Sequence, residues 1–279
     1  MATKSHLTAV VLTKNEVANL PRCFASLGWC SEILVVDSGS TDGTQAEAER
    51  LGARVLVHVQ PPPFKISEQR NWALTEGGIN TPWVVFLDAD ETIPENLAHE
   101  LIRVAGDPDN ELDAYELTPR YLFWGTWLKR TQGYPNWHPR VVRCGRTHFE
   151  GGVWEHFATG AKVGRVDIPY DHFANSKGLS DWLARHDRYS SWDAEKIVKY
   201  LESRDDASFG TKRKLALRRW AARCWPLRPW ARFVQTYVFR CGFLEGRAAF
   251  TFCLLYFFYE LMTVVKVVEI RRKKRGLPL

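Results

Sequence analysis

No two cysteines in this chain have the C-x-x-C spacing; the six stand alone at positions 23, 30, 144, 224, 241 and 253. That excludes a zinc ribbon or a dithiol redox site as a reading of the sequence and leads us to expect a reduced, cytosolic chain. No self-similarity recurs at a period of roughly 20–50 residues, so a repeat solenoid is excluded. No secretory leader is expected, because the first apolar run, Leu7–Thr13, is short and stops at Lys14. Acids are scarce toward the C-terminus. Thr211–Leu279 holds 3 Asp+Glu against 16 Lys+Arg, whereas residues 1–210 hold 29 acids and 22 bases. The two parts should therefore meet different partners, and the basic one suits an anionic surface. The aromatic signature of an RNA-binding sheet is missing, so no nucleic-acid partner is expected. Apolar and charged residues are present in globular proportion, 45% and 25% of 279 residues, enough for a large domain with an appendage.

The first hundred residues alternate strand and helix signals. LTAVVLT (Leu7–Thr13), EILVVD (Glu32–Asp37), ARVLVHV (Ala53–Val59) and TPWVVFLDADE (Thr81–Glu91) read as buried strands. Between them, Glu16–Leu27, a segment after the turn-rich SGSTDGT, and Ser67–Thr75 with Ser67 as cap read as helices. Such alternation predicts an α/β fold with a mostly parallel sheet flanked by helices. LDAYELT and PRVVR are strand-like, Leu179–Ser203 reads as a long helix, and a second long helix is expected over about Phe243–Glu269.

In open α/β sheets ligands bind beyond the carboxyl ends of the strands. The polar residues gather at those ends: Thr13, Asn15 and Glu16, then Asp37 and Asp42, then Asp88, Asp90 and Glu91. Three carboxylates directly after a buried strand repel one another unless a cation neutralises them. A hard divalent ion, Mg²⁺ or Mn²⁺, completed by water and substrate phosphates, is the natural answer. Asp37 can accept a hydrogen bond from a nucleobase or sugar, and Lys65 and Arg70 can meet diphosphate oxygens. Trp124, Trp127, Trp137 and Trp154 suit sugar stacking or a core.

Four segments, TKNE at 13–16, VVDSGSTDGT at 35–44, FKISEQRNWAL at 64–74 and FLDADE at 86–91, resemble glycosyltransferase family 2 in order and spacing. The RNWAL segment, the V-x-E ending at Glu155 and the tail RFVQTYVFRCGFLEG are most similar to the branch of small lipopolysaccharide-core β-glucosyltransferases. The resemblance implies a GT-A nucleotide-diphospho-sugar transferase fold and an inverting transfer from a nucleotide-diphosphate sugar, with a UDP-hexose as the expected donor. Glu16 and Asp37 would hold base and ribose, with Thr13 and Asn15 shaping that pocket. Asp88 would support the nucleotide and, with Asp90, the metal; Lys65 and Arg70 would neutralise the diphosphate. Inversion needs a base for the acceptor hydroxyl proton. Glu155 stands where the branch has the glutamate of its V-H-E pattern, with Trp154 replacing the histidine and His156 following. Asp90 and Glu91 are the next candidates. The implied acceptor is a cell-envelope glycan or glycolipid. The alternatives are a polyprenyl-phosphate glycosyltransferase, or a non-catalytic membrane-binding protein on the same scaffold. A sugar-phosphate nucleotidyltransferase would favour a glycine-rich loop after the first strand, where this chain has TKNE.

The expected domains are a catalytic one over 1–175, with a nucleotide-sugar half to about 105 and an acceptor half from about 106, and a basic helical region over 176–279. Ala248–Tyr259 is uncharged, but its extension to Val268 includes Glu260 and Lys266. Each charge costs about 2.5–3.5 kcal/mol near a bilayer centre, so a helix lying on the inner face of the cytoplasmic membrane is expected rather than a span. Arg271–Arg275 and the arginines from Arg213 to Arg232 would meet anionic headgroups. A homodimer interface is the alternative use of that helix.

Overall fold

Leu7–Thr13 forms strand β1 in the middle of a sheet, buried on both faces as its uncharged sequence requires. The computed structural model describes residues 5–62, 64–152, 155–203 and 224–279. These fall into two units, one running to Leu122 and resuming over Tyr134–Ser176, the other made of Phe123–Gly133 and Lys177–Leu279. In the first unit β1 is followed by α1 (Leu20–Ala25), β2 (Glu32–Asp37), α2 (Thr44–Arg50), β3 (Arg54–Val57) and α3 (Ile66–Glu76). Then come β4 (Trp83–Asp88), β5 (Glu91–Thr92), α4 (Glu95–Gly106) and β6 (Ala114–Phe123). The short β7 (Thr126–Trp127) lies in the second unit, and β8 (His138–Arg143), β9 (Phe149–Gly151), β10 (Glu155–Phe157) and β11 (Val163–His172) complete the first.

Eight strands are ordered β3-β2-β1-β4-β8-β6-β11-β5. Neighbours from β3 to β4 are parallel, as are β6 and β11, while β8 opposes β4 and β6, and β5 opposes β11. Alternate residues of β1 serve two cores. Leu7, Ala9 and Val11 pack with Leu20 of α1 and Leu97 of α4, and Val10 packs with Ala73 of α3 and Phe149. Register then builds the rim: Thr13 pairs with Asp37, Leu12 with Asp88, and Glu91 with His172.

In the first unit two helix starts differ from the sequence reading. The first helix begins at Leu20 rather than Glu16, with Pro21 in its first turn and Asn15 turned out of helical geometry at φ 57°. The cap of α3 is Lys65; Ser67 lies inside the helix, and its hydroxyl donates to the Gly151 carbonyl at 2.5 Å.

The second unit contains α5 (Gly178–Ser203), a 3₁₀ turn at Trp225–Leu227, α6 (Arg228–Phe233), a π-helical turn at Val234–Phe239, a second 3₁₀ turn at Gly242–Glu245 and α7 (Gly246–Lys274). The expected helix from Phe243 is delayed to Gly246, whose φ of 71° breaks the preceding turn from α7. Val267 of α7 packs with Ala194, Ile197 and Val198 of α5. Arg213 and the arginines at 218, 219 and 223, like Trp154, lie outside the described residues.

Candidate active site

At the ends of β1 and β2 the sequence places hydroxyls and short acids where backbone donors must be satisfied. Asp37 is fully buried. Its Oδ1 accepts from the Gly39 and Ser40 amides and from Gln45, and its Oδ2 accepts from Thr13 Oγ1 at 2.8 Å and from Ser40 Oγ. Burial works against this charge, but the Ser40, Thr13 and Gln45 donors outweigh it and hold the carboxyl below its usual range. Asp37 is thus committed to shaping the loop, and its oxygens are already occupied where a base or ribose contact was expected. Asn15 Oδ1 accepts from the Thr41 amide at 2.8 Å, and Glu16 accepts from Asn19 at 2.7 Å. Asp42 likewise accepts from Thr44 and from the Val17 amide. Gly39 is required here: its φ is +81°, and a Cβ would stand 3.0 Å from Val59.

At the end of β4 the chemistry is denser. Asp88 Oδ2 lies 3.1 Å from Arg140 Nη2, and its Oδ1 lies 3.8 Å from Arg70 Nη2. Burial opposes ionisation of Asp88, yet Arg140, Arg70 and His172 pull its pKa down to about 2. Glu91 is fully buried, accepts from Arg140 Nη2 at 2.6 Å and from the Asp88 amide at 2.9 Å, and burial pushes its pKa up to about 7. This acid braces the turn. Asp90 meets His172 instead, with Oδ2 and Nε2 3.5 Å apart and each side chain about one-fifth exposed. Burial disfavours the imidazolium, but Asp90, Glu91 and Asp88 together raise the His172 pKa.

Helix α3 supplies the third part. Residues 67, 70 and 71 share one helical face. Ser67 holds Gly151, while Asn71 donates to the Phe149 carbonyl and accepts from its amide, both at 2.8 Å. The same face therefore clamps the β9–β10 hairpin that carries Glu155. Arg70, between them, is buried against Phe86 and Phe149, donates to the Pro139 carbonyl at 2.9 Å and lies 3.1 Å from Glu155 Oε2. Glu155 Oε1 is buried without a hydrogen-bond partner among the described residues. Burial raises the Glu155 pKa, partly countered by Arg70 and Arg140.

Asp88, Arg70 and Glu155 thus converge, with the Asp90–His172 pair on the turn that follows β4, beside the loop of Thr13, Asn15, Glu16 and Asp37. Lys65 is not drawn in: it is exposed and bonded to Glu68 at 2.6 Å. His156 is exposed near Glu150, and Trp124 is exposed in the second unit. Cavities of about 420 Å³ beside Trp29 and His99 and of about 540 Å³ beside Glu116 and Arg165 are lined by none of the converging residues. Two participants were absent from the sequence reading. An arginine inside the strand-like PRVVR should have signalled a buried carboxylate partner. His172 ends a strand, VGRVDIPYDH, that the reading passed over.

The site offers a hard cation one carboxylate and one imidazole, Asp90 and His172, on an accessible rim. Among the described residues no group of three His, Cys, Asp or Glu is arranged as a metal cage. A cation completed by phosphate oxygens and water needs no such cage, so the residues fit one. Asp88, with both oxygens facing guanidinium groups, fits less well as a ligand.

Residues 8–170 match the family described as glycosyl transferase family 2. Over 210 residues the chain is 36% identical to the lipopolysaccharide core biosynthesis glycosyltransferase LpsC of Rhizobium meliloti, covering 71% of this chain and 74% of that protein. An uncharacterized glycosyltransferase of Rickettsia felis is 38% identical over 96 residues, 34% of this chain and 32% of its own. Among solved structures, glucosyl-3-phosphoglycerate synthase of Mycobacterium tuberculosis, in complex with Mn²⁺, UDP and glucosyl-3-phosphoglycerate, is similar at a TM-score of 0.43 and 18% identity, over 64% of this chain and 75% of that one. The chain belongs to glycosyltransferase family 2 and is a glycosyltransferase. Its fold is α/β with a mostly parallel central sheet and a C-terminal helical region.

Proposed function

We propose that the chain is an inverting hexosyltransferase that takes a sugar from a UDP-hexose and places it on a hydroxyl of a cell-envelope glycan or glycolipid. The catalytic part is residues 1–175, and the C-terminal region keeps the enzyme peripheral on the inner face of the cytoplasmic membrane. The observation that carries the reading is Glu155, with one oxygen on Arg70, which also faces Asp88, and the other oxygen buried without a hydrogen-bond partner among the described residues. The name of the Rhizobium relative supports an envelope acceptor.

Glu155 Oε1 accepts the proton of the acceptor hydroxyl as its oxygen attacks the anomeric carbon. The bond from that carbon to the diphosphate breaks, and the electron pair leaves with the diphosphate. Attack opposite the leaving group inverts the centre. Arg70 keeps the second carboxylate oxygen oriented. Asp90 and His172 would hold the divalent cation, which supplies charge stabilisation to the departing diphosphate. A mixed oxygen and imidazole set favours Mn²⁺ over Mg²⁺. Asp37, Asn15 and Thr13 fix the loop on which the nucleoside rests, Glu16 lies beside it, and Asp88 with Arg140 supports the turn.

A thermal-shift screen of UDP-, GDP- and dTDP-sugars with Mn²⁺ tests this. A UDP-hexose should raise the melting temperature, and the shift should vanish in chelator. Stabilisation by none of the nucleotide sugars would overturn the donor assignment.

A further inference from the structure

Among the described residues α7 is the helix long and apolar enough to cross a membrane. Its charges decide otherwise. Glu260 is buried, accepts from Arg228 Nε at 2.7 Å and faces Arg232 Nε at 3.5 Å. Lys266 donates to Asp187 at 2.6 Å and to Ser191 at 2.8 Å, and Tyr259 donates to Asp193 at 2.6 Å. One face of α7 is thus tied by polar bonds to α5 and α6. Spanning a bilayer would drag Asp187, Asp193, Arg228 and Arg232 into hydrocarbon.

Among the described residues the opposite face has no such partners. Phe250, Leu254, Phe258, Leu261, Val265 and Val268 are each 37% to 48% exposed. At helical rotation they fall within an arc of about 80° along most of α7. Ring contacts widen the patch: Phe250 meets Tyr237, which meets the exposed Phe243, and Phe257 joins Phe258 to the exposed Trp230. A patch this continuous marks an interaction surface. Arg247 and Arg272 stand on the same line at its two ends, Glu269 stands beside that line, and Arg271, Lys273 and Arg275 are exposed nearby. Two copies packed stripe to stripe would bring arginine against arginine in either orientation. An anionic lipid surface meets apolar stripe and basic ends together.

We infer that this face of α7, with the rings of Trp230 and Phe243, lies in the interface of an anionic phospholipid membrane. The inference deepens the reading of a membrane-borne acceptor and rests on it.

The test is flotation of the full chain with phosphatidylcholine vesicles, with and without phosphatidylglycerol. Binding should require the anionic lipid and weaken in high salt. Combined Phe250→Ser, Phe258→Ser and Leu261→Ser should lower vesicle affinity by about a hundredfold or more with an unchanged melting temperature. Arg247→Gln, Arg271→Gln and Arg275→Gln, which remove exposed charge, should weaken binding to anionic vesicles in the same direction. Equal binding to neutral vesicles, resistance to alkaline carbonate, or a vesicle-indifferent dimer broken by the serine variants would each overturn the inference. Flotation needs neither donor nor acceptor. Failure here with an intact UDP-sugar thermal shift therefore sinks the docking face alone, and the converse sinks the transferase reading alone.

Discussion

On the proposed mechanism Glu155 is the residue on which the chemistry turns, and its surroundings would set the pH at which it works. Burial lifts its carboxyl above the ordinary range while Arg70, 3.1 Å away, limits the rise. A raised pKa means the proton is held to higher pH, so the base is lost as pH falls through a value above about 4.3. The acid limb of the turnover profile should therefore lie above that of a free glutamate. Glu155→Gln should remove the limb and lower turnover by about 10²- to 10⁴-fold, leaving donor affinity intact. Near wild-type turnover in this variant would move the base elsewhere, with Asp90 next. Glu155 could be singled out in the sequence because a motif carries it. Arg140 and His172 could not: each meets carboxylates that are distant in sequence, Glu91 and Asp90, and only strand register brings them near.

At the scale of elements, β1, β2 and the run into Asp88 were legible because uninterrupted apolar runs ending in acids have little else to become. The role of α3 was less so. Its ISEQRNWAL sequence reads as a helix, but Ser67, which looks like a cap, serves the hairpin beyond it. Strand β11 escaped notice because Gly164, Asp167 and Pro169 interrupt its apolar pattern. Asn71 ties the helix to the hairpin, bonding both backbone groups of Phe149. Asn71→Ala should destabilise the fold by about 1–3 kcal/mol in denaturant melts. It should also lower kcat more than it weakens donor binding, because the hairpin carries Glu155. Unchanged stability together with unchanged kcat would show that the clamp is dispensable.

At the scale of the molecule, the charge asymmetry of the sequence divides between two tasks. The acidic residues supply a rim on which a cation and a nucleotide sugar can be held, and the basic C-terminal region carries an apolar face bracketed by arginines. Family membership makes sugar transfer the business of the first. On the proposed reading Asp90 and His172 would hold the cation, since Asp88 and Glu91 face arginines. The most direct measurement is release of UDP from a UDP-hexose by the purified full chain with Mn²⁺, with excess chelator, and in Asp90→Ala. The account predicts Mn²⁺-dependent release that chelator abolishes reversibly and that Asp90→Ala lowers by about a hundredfold or more. Full release in chelator, or wild-type release by Asp90→Ala, would contradict it.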